Sequence, residues 1–207
     1  MIPGDDYIYK CPNCGSLLKN RSFVSGNNFG AKLFSDGKQI APMLPDYPNL
    51  TKCKKCNSIF WLSNLEKIAK YNSWKDKNAE WGNADYADFL EIKDLCRALE
   101  ITKDKKEETI IRQLIWWTIN DRVRNDKQIF NDESDKDLYE QNCNILLTLL
   151  SEEDFNQRIM IAELYRNLGK FEQCLAIIKN LPTDFEWLKD EFSQQCEKKN
   201  SLVFRLY

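Results

Sequence analysis

Histidine is missing from all 207 residues. Its absence removes Ser-His-Asp and Cys-His catalysis, the His-Glu-x-x-His zincin motif and every zinc site with an imidazole ligand. Long apolar runs are missing too: the most apolar stretch, Ile110 to Ile119, is broken by Arg112 and Gln113, so no membrane span is expected. The amino terminus, Met-Ile-Pro-Gly-Asp-Asp-Tyr, lacks the basic and apolar regions of a secretory signal, and a soluble cytoplasmic protein with no membrane partner is the expectation. Charge of one sign is not in excess. With 30 Lys/Arg against 32 Asp/Glu the net charge is −2, which argues against a chain wholly devoted to nucleic acid. A phosphate cradle is lacking as well, because the Gly30 to Lys38 stretch spaces its glycines too widely and Gln39 stands where a P-loop needs Ser or Thr. With no complete catalytic motif, the chain is not expected to be an enzyme.

What is present is cysteine. The chain has 8, and in a reducing compartment close pairs are metal ligands rather than disulfides. Two such pairs occur, Cys11-Pro-Asn-Cys14-Gly15 and Cys53-Lys-Lys-Cys56. In a C-x-x-C turn both sulfurs converge on one ion while nearby backbone N–H groups hydrogen-bond the thiolates, and Gly15 permits the positive φ such a turn requires. Two turns together close a tetrahedral four-sulfur site with no position left for water or substrate. The predicted cofactor is therefore one structural Zn²⁺ on Cys11, Cys14, Cys53 and Cys56, contributing on the order of 10 kcal/mol to folding. Cys96, Cys143, Cys174 and Cys196 lie far apart on apolar helical patterns and read as small buried hydrophobes.

Short β-prone runs, Tyr7 to Tyr9 and Ile59 to Trp61, flank the two knuckles. Between them, Ser25-Gly-Asn-Asn and Ser35-Asp-Gly-Lys are turn sequences, predicting a hairpin from Phe29 to Phe34 with a return over Lys38 to Met43, and Pro42, Pro45 and Pro48 enforce an extended passage to the second knuckle. By these residues the segment 1–62 resembles the zinc ribbon family. The first knuckle is also similar to that of rubredoxin, which leaves iron as an alternative, although Lys54, Lys55 and Asn57 depart from that pattern in the second. Zinc ribbons serve nucleic-acid contact, protein contact or folding alone. The first seventy residues carry ten Lys/Arg against five Asp/Glu. Lys10, Lys19, Arg21, Lys52, Lys54 and Lys55 could meet phosphates while Phe23, Phe29, Tyr47 or Trp61 stack on bases, or the lysines form a solvated rim around an aromatic core.

From residue 63 the pattern becomes helical. Ser63-Asn-Leu-Glu66 is a capping box predicting a short helix to about Asn72, followed by a polar connector to residue 82 whose Trp74 and Trp81 are expected to pack the two parts together. Segment 83–207 is predicted all-helical. Its starts are Asn83, the Glu107 to Arg124 central helix, Ser134, Ser151-Glu-Glu-Asp154 and Thr183-Asp-Phe-Glu186, and the apolar tail Leu202 to Tyr207 is expected to dock. Within it, Ala162-Glu-Leu-Tyr165-Arg-Asn-Leu-Gly169-Lys-Phe171-Glu-Gln-Cys174, closed by Pro182, resembles one tetratricopeptide repeat. The expected fold class is thus a small β zinc ribbon plus an all-α domain of antiparallel helix pairs, α+β overall.

That second resemblance implies a groove for a protein or peptide partner. Arg112, Trp116, Asn120 and Arg124 recur every four residues on the central helix, with Arg158 and Arg166 on the repeat's first helix, as a surface for a carboxylate or acidic peptide. The competing reading pairs these arginines with Glu108, Asp121 and Glu163 to hold helices in place. The function expected from the sequence is a zinc-stapled interaction or adaptor module, with a nucleic-acid-binding factor using the basic ribbon as the alternative.

Overall fold

The structure, a computed structural model, describes residues 1–207 apart from the side chain of Ala79. In chain order the strands are β1 (Ile2–Pro3), β2 (Asp6–Lys10), β3 (Leu17–Asn20), β4 (Phe23–Ser25), β5 (Lys32–Leu33), β6 (Gln39–Ile40), β7 (Leu50–Lys52), β8 (Ile59–Trp61), β9 (Ala69–Tyr71) and β10 (Asp85–Tyr86). The helices are α1 (Ala79–Gly82), α2 (Ile92–Leu99), α3 (Lys105–Arg124), α4 (Glu133–Leu149), α5 (Phe155–Asn167), α6 (Phe171–Lys179) and α7 (Glu186–Glu197). The result is a mixed α+β chain in two compact units. One comprises residues 1–31 and 40–98, the other residues 32–39 and 99–207. The division therefore falls elsewhere than the expected boundaries at 62 and 82: the first unit keeps the chain to residue 98, and the second reclaims the hairpin tip from the middle of the knuckle segment.

In the first unit each knuckle closes an antiparallel pair, β2 with β3 and β7 with β8. The sheet grows by β9 on the far edge of β2 and by β10, parallel, on β3, giving the order β10-β3-β2-β9. Tyr9, Leu18, Phe60 and Leu62 are buried with Cys11 and Cys53, so the small core and the cysteine site are one body.

Two sequence expectations fail here for identifiable reasons. The helix predicted from Ser63 is only a 3-10 turn, Leu62–Asn64, in which the Ser63 hydroxyl accepts from Asn49 Nδ2 at 3.2 Å. The chain then runs extended as β9, with Ile68 N–H donating to Ile8 O at 2.9 Å. Likewise the stretch after Asn83 begins as β10 rather than as helix; the cap belongs to Asn78, whose Oδ1 accepts from the amides of Glu80 and Trp81 at 3.0 and 3.2 Å. Both strands complete hydrogen bonding of sheet edges, a need that local propensity does not display.

The second unit is built on α3. It buries Ile111, Ile115, Trp116, Ile119 and Asn120, and no residue from Glu107 to Arg124 is fully exposed, as expected of a central helix. Its cap is Asp104, accepting from Glu107 N–H at 2.9 Å. Asp132 and Asp154 cap α4 and α5 in the same way. α5 and α6 pack on each other across Leu168, Gly169 and Lys170, where Gly169 takes φ +70° to turn the chain back. The faces of α5, α6 and α7 meet in a core of Ala162, Cys174, Ile178, Leu188, Phe192 and Cys196.

Residues 32–39 form the tight turn of the predicted hairpin, though with strands of only two residues. Phe34 N–H donates to Lys38 O at 3.0 Å, and Gly37 takes φ +78°. The carboxy-terminal tail docks along this hairpin. Leu206 N–H donates to Leu33 O at 2.8 Å and Ser35 N–H to Phe204 O at 2.9 Å.

Candidate metal centre

Four sulfurs gather where the two knuckles face each other. The Sγ atoms of Cys11, Cys14, Cys53 and Cys56 all lie within 4.8 Å of one another, with Cys11 3.6 Å from Cys56 and Cys14 3.7 Å from Cys53. A tetrahedral ion bound through bonds of about 2.3 Å sets sulfur–sulfur edges of about 3.8 Å, so the cluster is compatible with one ion at its centre. Cys11 and Cys53, the first cysteine of each knuckle, are buried, whereas Cys14 is exposed and Cys56 half-buried.

The knuckles are built alike. In the first, Cys11 N–H donates to Ser16 O at 2.8 Å and Gly15 N–H to Cys11 O at 2.9 Å. In the second, Cys53 N–H donates to Ser58 O and Asn57 N–H to Cys53 O, both at 2.9 Å. Gly15 has φ +70° and Asn57 φ +59°, so asparagine, which tolerates the left-handed region, does for the second turn what glycine does for the first. The hydroxyl of Ser16 lies 3.1 Å from Cys14 Sγ and 3.2 Å from Cys53 Sγ; that of Ser58 lies 3.3 Å from Cys11 Sγ and 3.1 Å from Cys56 Sγ.

These surroundings govern the thiols. The hydroxyl and amide of Ser58, with the Asn13 side chain, hold Cys56 down to about 5. At Cys53 burial pushes upward, but the Ser16 hydroxyl and the amides of Cys56 and Lys55 outweigh it, and the thiol is lowered. Burial prevails at Cys11, which is raised. Part of the cluster is thus already thiolate near neutrality, the form that binds metal.

Ser16, Ser58 and the role of Asn57 lie outside the sequence expectation. The signal that would have found them is the internal repeat Cys-x-x-Cys-x-Ser, present in both knuckles. Of the remaining cysteines, Cys143, Cys174 and Cys196 are buried and Cys96 is half-buried. Burial raises the thiols of Cys143, Cys174 and Cys196.

The residues predicted for partner contact lie in the second unit, and most are internal. Trp116, Asn120 and Arg166 are fully buried, and the Arg124 side chain is 2% exposed. Trp116 Nε1 donates to Asn167 Oδ1 at 2.9 Å, and Asn120 Nδ2 donates to Asp36 Oδ2 at 2.9 Å. Arg124 pairs with Asp36 and, at 2.7 Å, with Asp121 Oδ1. Arg166 meets Glu163 through Nε at 2.8 Å and Nη2 at 2.6 Å, and its Nη2 also donates to Leu202 O at 2.8 Å. Arg112 and Arg158 are half-buried; the first pairs with Glu108 Oε1 at 2.7 Å, the second donates to Glu152 O at 2.8 Å. The stripes therefore bind hairpin tip, tail and neighbouring helix turns within their own unit, with Asp36 and Ser35 as partners that helical spacing gave no reason to include.

Trp74, expected to pack, is instead 95% exposed, at the tip of a turn in which Asn72 N–H donates to Asp76 Oδ2 at 2.7 Å and Trp74 N–H to Asn72 Oδ1 at 3.0 Å. Of the knuckle lysines, Lys52 pairs with Asp94 and Lys54 with Asp88. Among the described residues no helix is long and apolar enough to cross a membrane. Compared with protein-family models, with curated proteins and with solved structures, the chain matches none.

Proposed function

We propose that Cys11, Cys14, Cys53 and Cys56 hold one zinc ion in a zinc ribbon, that this ion folds the first unit, and that the protein is a non-catalytic interaction module. The observation that carries the metal reading is the pair of cross-knuckle sulfur distances, 3.6 and 3.7 Å, close to the edge a tetrahedral Zn–S₄ centre requires. Four protein sulfurs fill every position around such an ion, which suits a folding role rather than hydrolysis. When bound, zinc supplies a cross-link between two hairpins that share a very small core. Cys14 and Cys56, on the outer side, complete the shell that Cys11 and Cys53 begin in the interior. Elemental analysis of the purified chain tests this directly: one zinc per chain is expected, and a folded chain without stoichiometric metal overturns it. Stoichiometric iron would favour the rubredoxin-like alternative.

The interaction reading draws on Trp74. The indole stands in solvent on a hydrogen-bonded turn, and large aromatic side chains are the anchors that dominate protein interfaces. The helical hairpin of α5 and α6, with its glycine turn, supports the repeat-like character of the second unit. The proposed partner is a protein or peptide. Nucleic acid draws less support, since two of the three knuckle lysines already face carboxylates. Affinity capture of the full chain beside its Trp74→Ala variant tests the assignment: a defined protein recovered with the first and lost with the second is expected. Identical recovery by both chains overturns the role of Trp74. Retention of RNA or DNA at low salt, released as salt rises, would favour the nucleic-acid alternative instead.

A further inference from the structure

The two knuckle serines occupy equivalent places in a pattern that zinc ligation alone does not require. Each serine's carbonyl oxygen accepts from the amide of the first cysteine of its own knuckle, at 2.8 Å for Ser16 and 2.9 Å for Ser58. That bond fixes where the side chain starts. Each hydroxyl then reaches two sulfurs, the second cysteine of its own knuckle and the first cysteine of the other. For Ser16 these are Cys14 and Cys53 at 3.1 and 3.2 Å; for Ser58 they are Cys56 and Cys11 at 3.1 and 3.3 Å. The same two pairs, taken crosswise, make up all four sulfurs of the cluster.

We infer that Ser16 and Ser58 are positioning residues of the metal centre, each hydroxyl spanning one sulfur from each knuckle and so setting how strongly the cluster holds its ion. This rests on the reading of the four cysteines as a zinc site. The chemistry is that of charge. Four thiolates around a divalent ion leave a net charge of −2 on sulfur, and an O–H pointed at a thiolate offsets part of it without taking a coordination position. Each hydroxyl has a single proton, so it serves one sulfur of its pair at a time and can exchange between them. Because every span crosses from one knuckle to the other, each hydroxyl can serve a sulfur of either hairpin.

The test uses the full chain with Zn²⁺ and with Co²⁺ as a spectroscopic stand-in. The double variant Ser16→Ala, Ser58→Ala is expected to hold zinc about 10- to 100-fold more weakly in competition with a chelator. Its Co²⁺ form is expected to keep the ligand-field bands of a tetrahedral S₄ site. The sulfur-to-metal charge-transfer band should move to lower energy, because a sulfur that has lost a hydrogen bond gives up its electrons more easily. Ser16→Thr with Ser58→Thr, which keeps both hydroxyls, should restore affinity and band. Single variants of the Zn²⁺-loaded chain, in which the ion keeps all four sulfurs deprotonated, add a local reading: Ser16→Ala should speed alkylation of Cys14 and Cys53 relative to Cys11 and Cys56, and Ser58→Ala should do the reverse. Wild-type affinity in the double alanine variant, or weaker binding with an unmoved charge-transfer band, overturns the assignment of the serines. Failure of the unsubstituted chain to bind either ion overturns the zinc reading beneath it instead.

Discussion

Ser35 Oγ donates to Glu163 Oε1 at 2.7 Å, joining two buried side chains 128 positions apart in the chain. The same oxygen of Glu163 accepts from Arg166 Nη2 at 2.6 Å and Asn167 Nδ2 at 3.0 Å, while the Ser35 hydroxyl accepts from Phe204 N–H at 3.1 Å. Hairpin tip, α5 and carboxy-terminal tail are thus joined at one carboxylate. A buried charge is tolerable only with such a full set of partners.

Removing that carboxylate should therefore be costly. Glu163→Ala leaves Arg166 buried without its counter-charge and is expected to destabilise the second unit by about 3–5 kcal/mol. Urea unfolding followed by circular dichroism measures it. A loss below about 1 kcal/mol would show that water replaces the missing partner.

The zinc prediction concerns the first unit alone. Cys53→Ser removes a buried ligand, and both stoichiometric zinc and amide-exchange protection of β2, β3, β7 and β8 should disappear. Protection retained in the metal-free variant would contradict a folding role.

Asn57 offers a milder test of the second knuckle. Its φ of +59° is accessible to glycine and poorly to branched side chains. Asn57→Gly should keep zinc affinity, whereas Asn57→Val should lower the stability of the metal-bound form by about 1–2 kcal/mol. Equal melting temperatures for the two variants would count against the left-handed requirement.

Acid should weaken the first unit partly through Asp94. The hydrogen bond from Lys52, with help from Arg97, holds this carboxyl below its ordinary value of 3.8. A lowered folded-state value means a contribution that is complete above pH 3.8 and is lost as pH falls through the lower, folded-state value. Asp94→Asn should accordingly melt below the wild type at pH 6, and the gap should narrow toward pH 2. Zinc release by protons acts on both chains, so the difference between their melting temperatures isolates Asp94.

Trp74→Ala should leave stability within about 0.5 kcal/mol of wild type, since the indole touches so little of its own chain. The same variant should lose the fluorescence component most accessible to a soluble quencher such as acrylamide. A destabilisation of several kcal/mol would mean that the indole is packed in solution.

Much of the second unit was legible because its elements are local. The start signal ending at Asp154, the apolar character of α3 around most of its circumference and the Gly169 turn each follow from residues within a few positions of one another, whereas the caps of α3 and α4 fall on Asp104 and on Asp132 rather than on the expected Ser134. β9 and β10 were not legible, because their three- and two-residue strands form only where β2 and β3 present free edges. The arginine stripes show a different limit. Helical spacing placed Arg124 and Arg166 correctly in relation to Asp121 and Glu163, yet could not tell that Ser35 and Asp36 arrive from another part of the chain to bury them.

The sequence by itself determined the two cysteine pairs as ligands of one candidate site, the exclusion of histidine chemistry and the helical character of the later chain. Each of these is written in residue identity or short spacing. The tertiary structure alone decided that the sulfurs come within 4.8 Å, that Ser16 and Ser58 reach across between knuckles, and that the hairpin tip belongs with the helices. The physical reason is the same in each case. A hydrogen bond or sulfur contact depends on which distant segments meet, and burial of polar groups rewards only those meetings in which every donor and charge finds its partner.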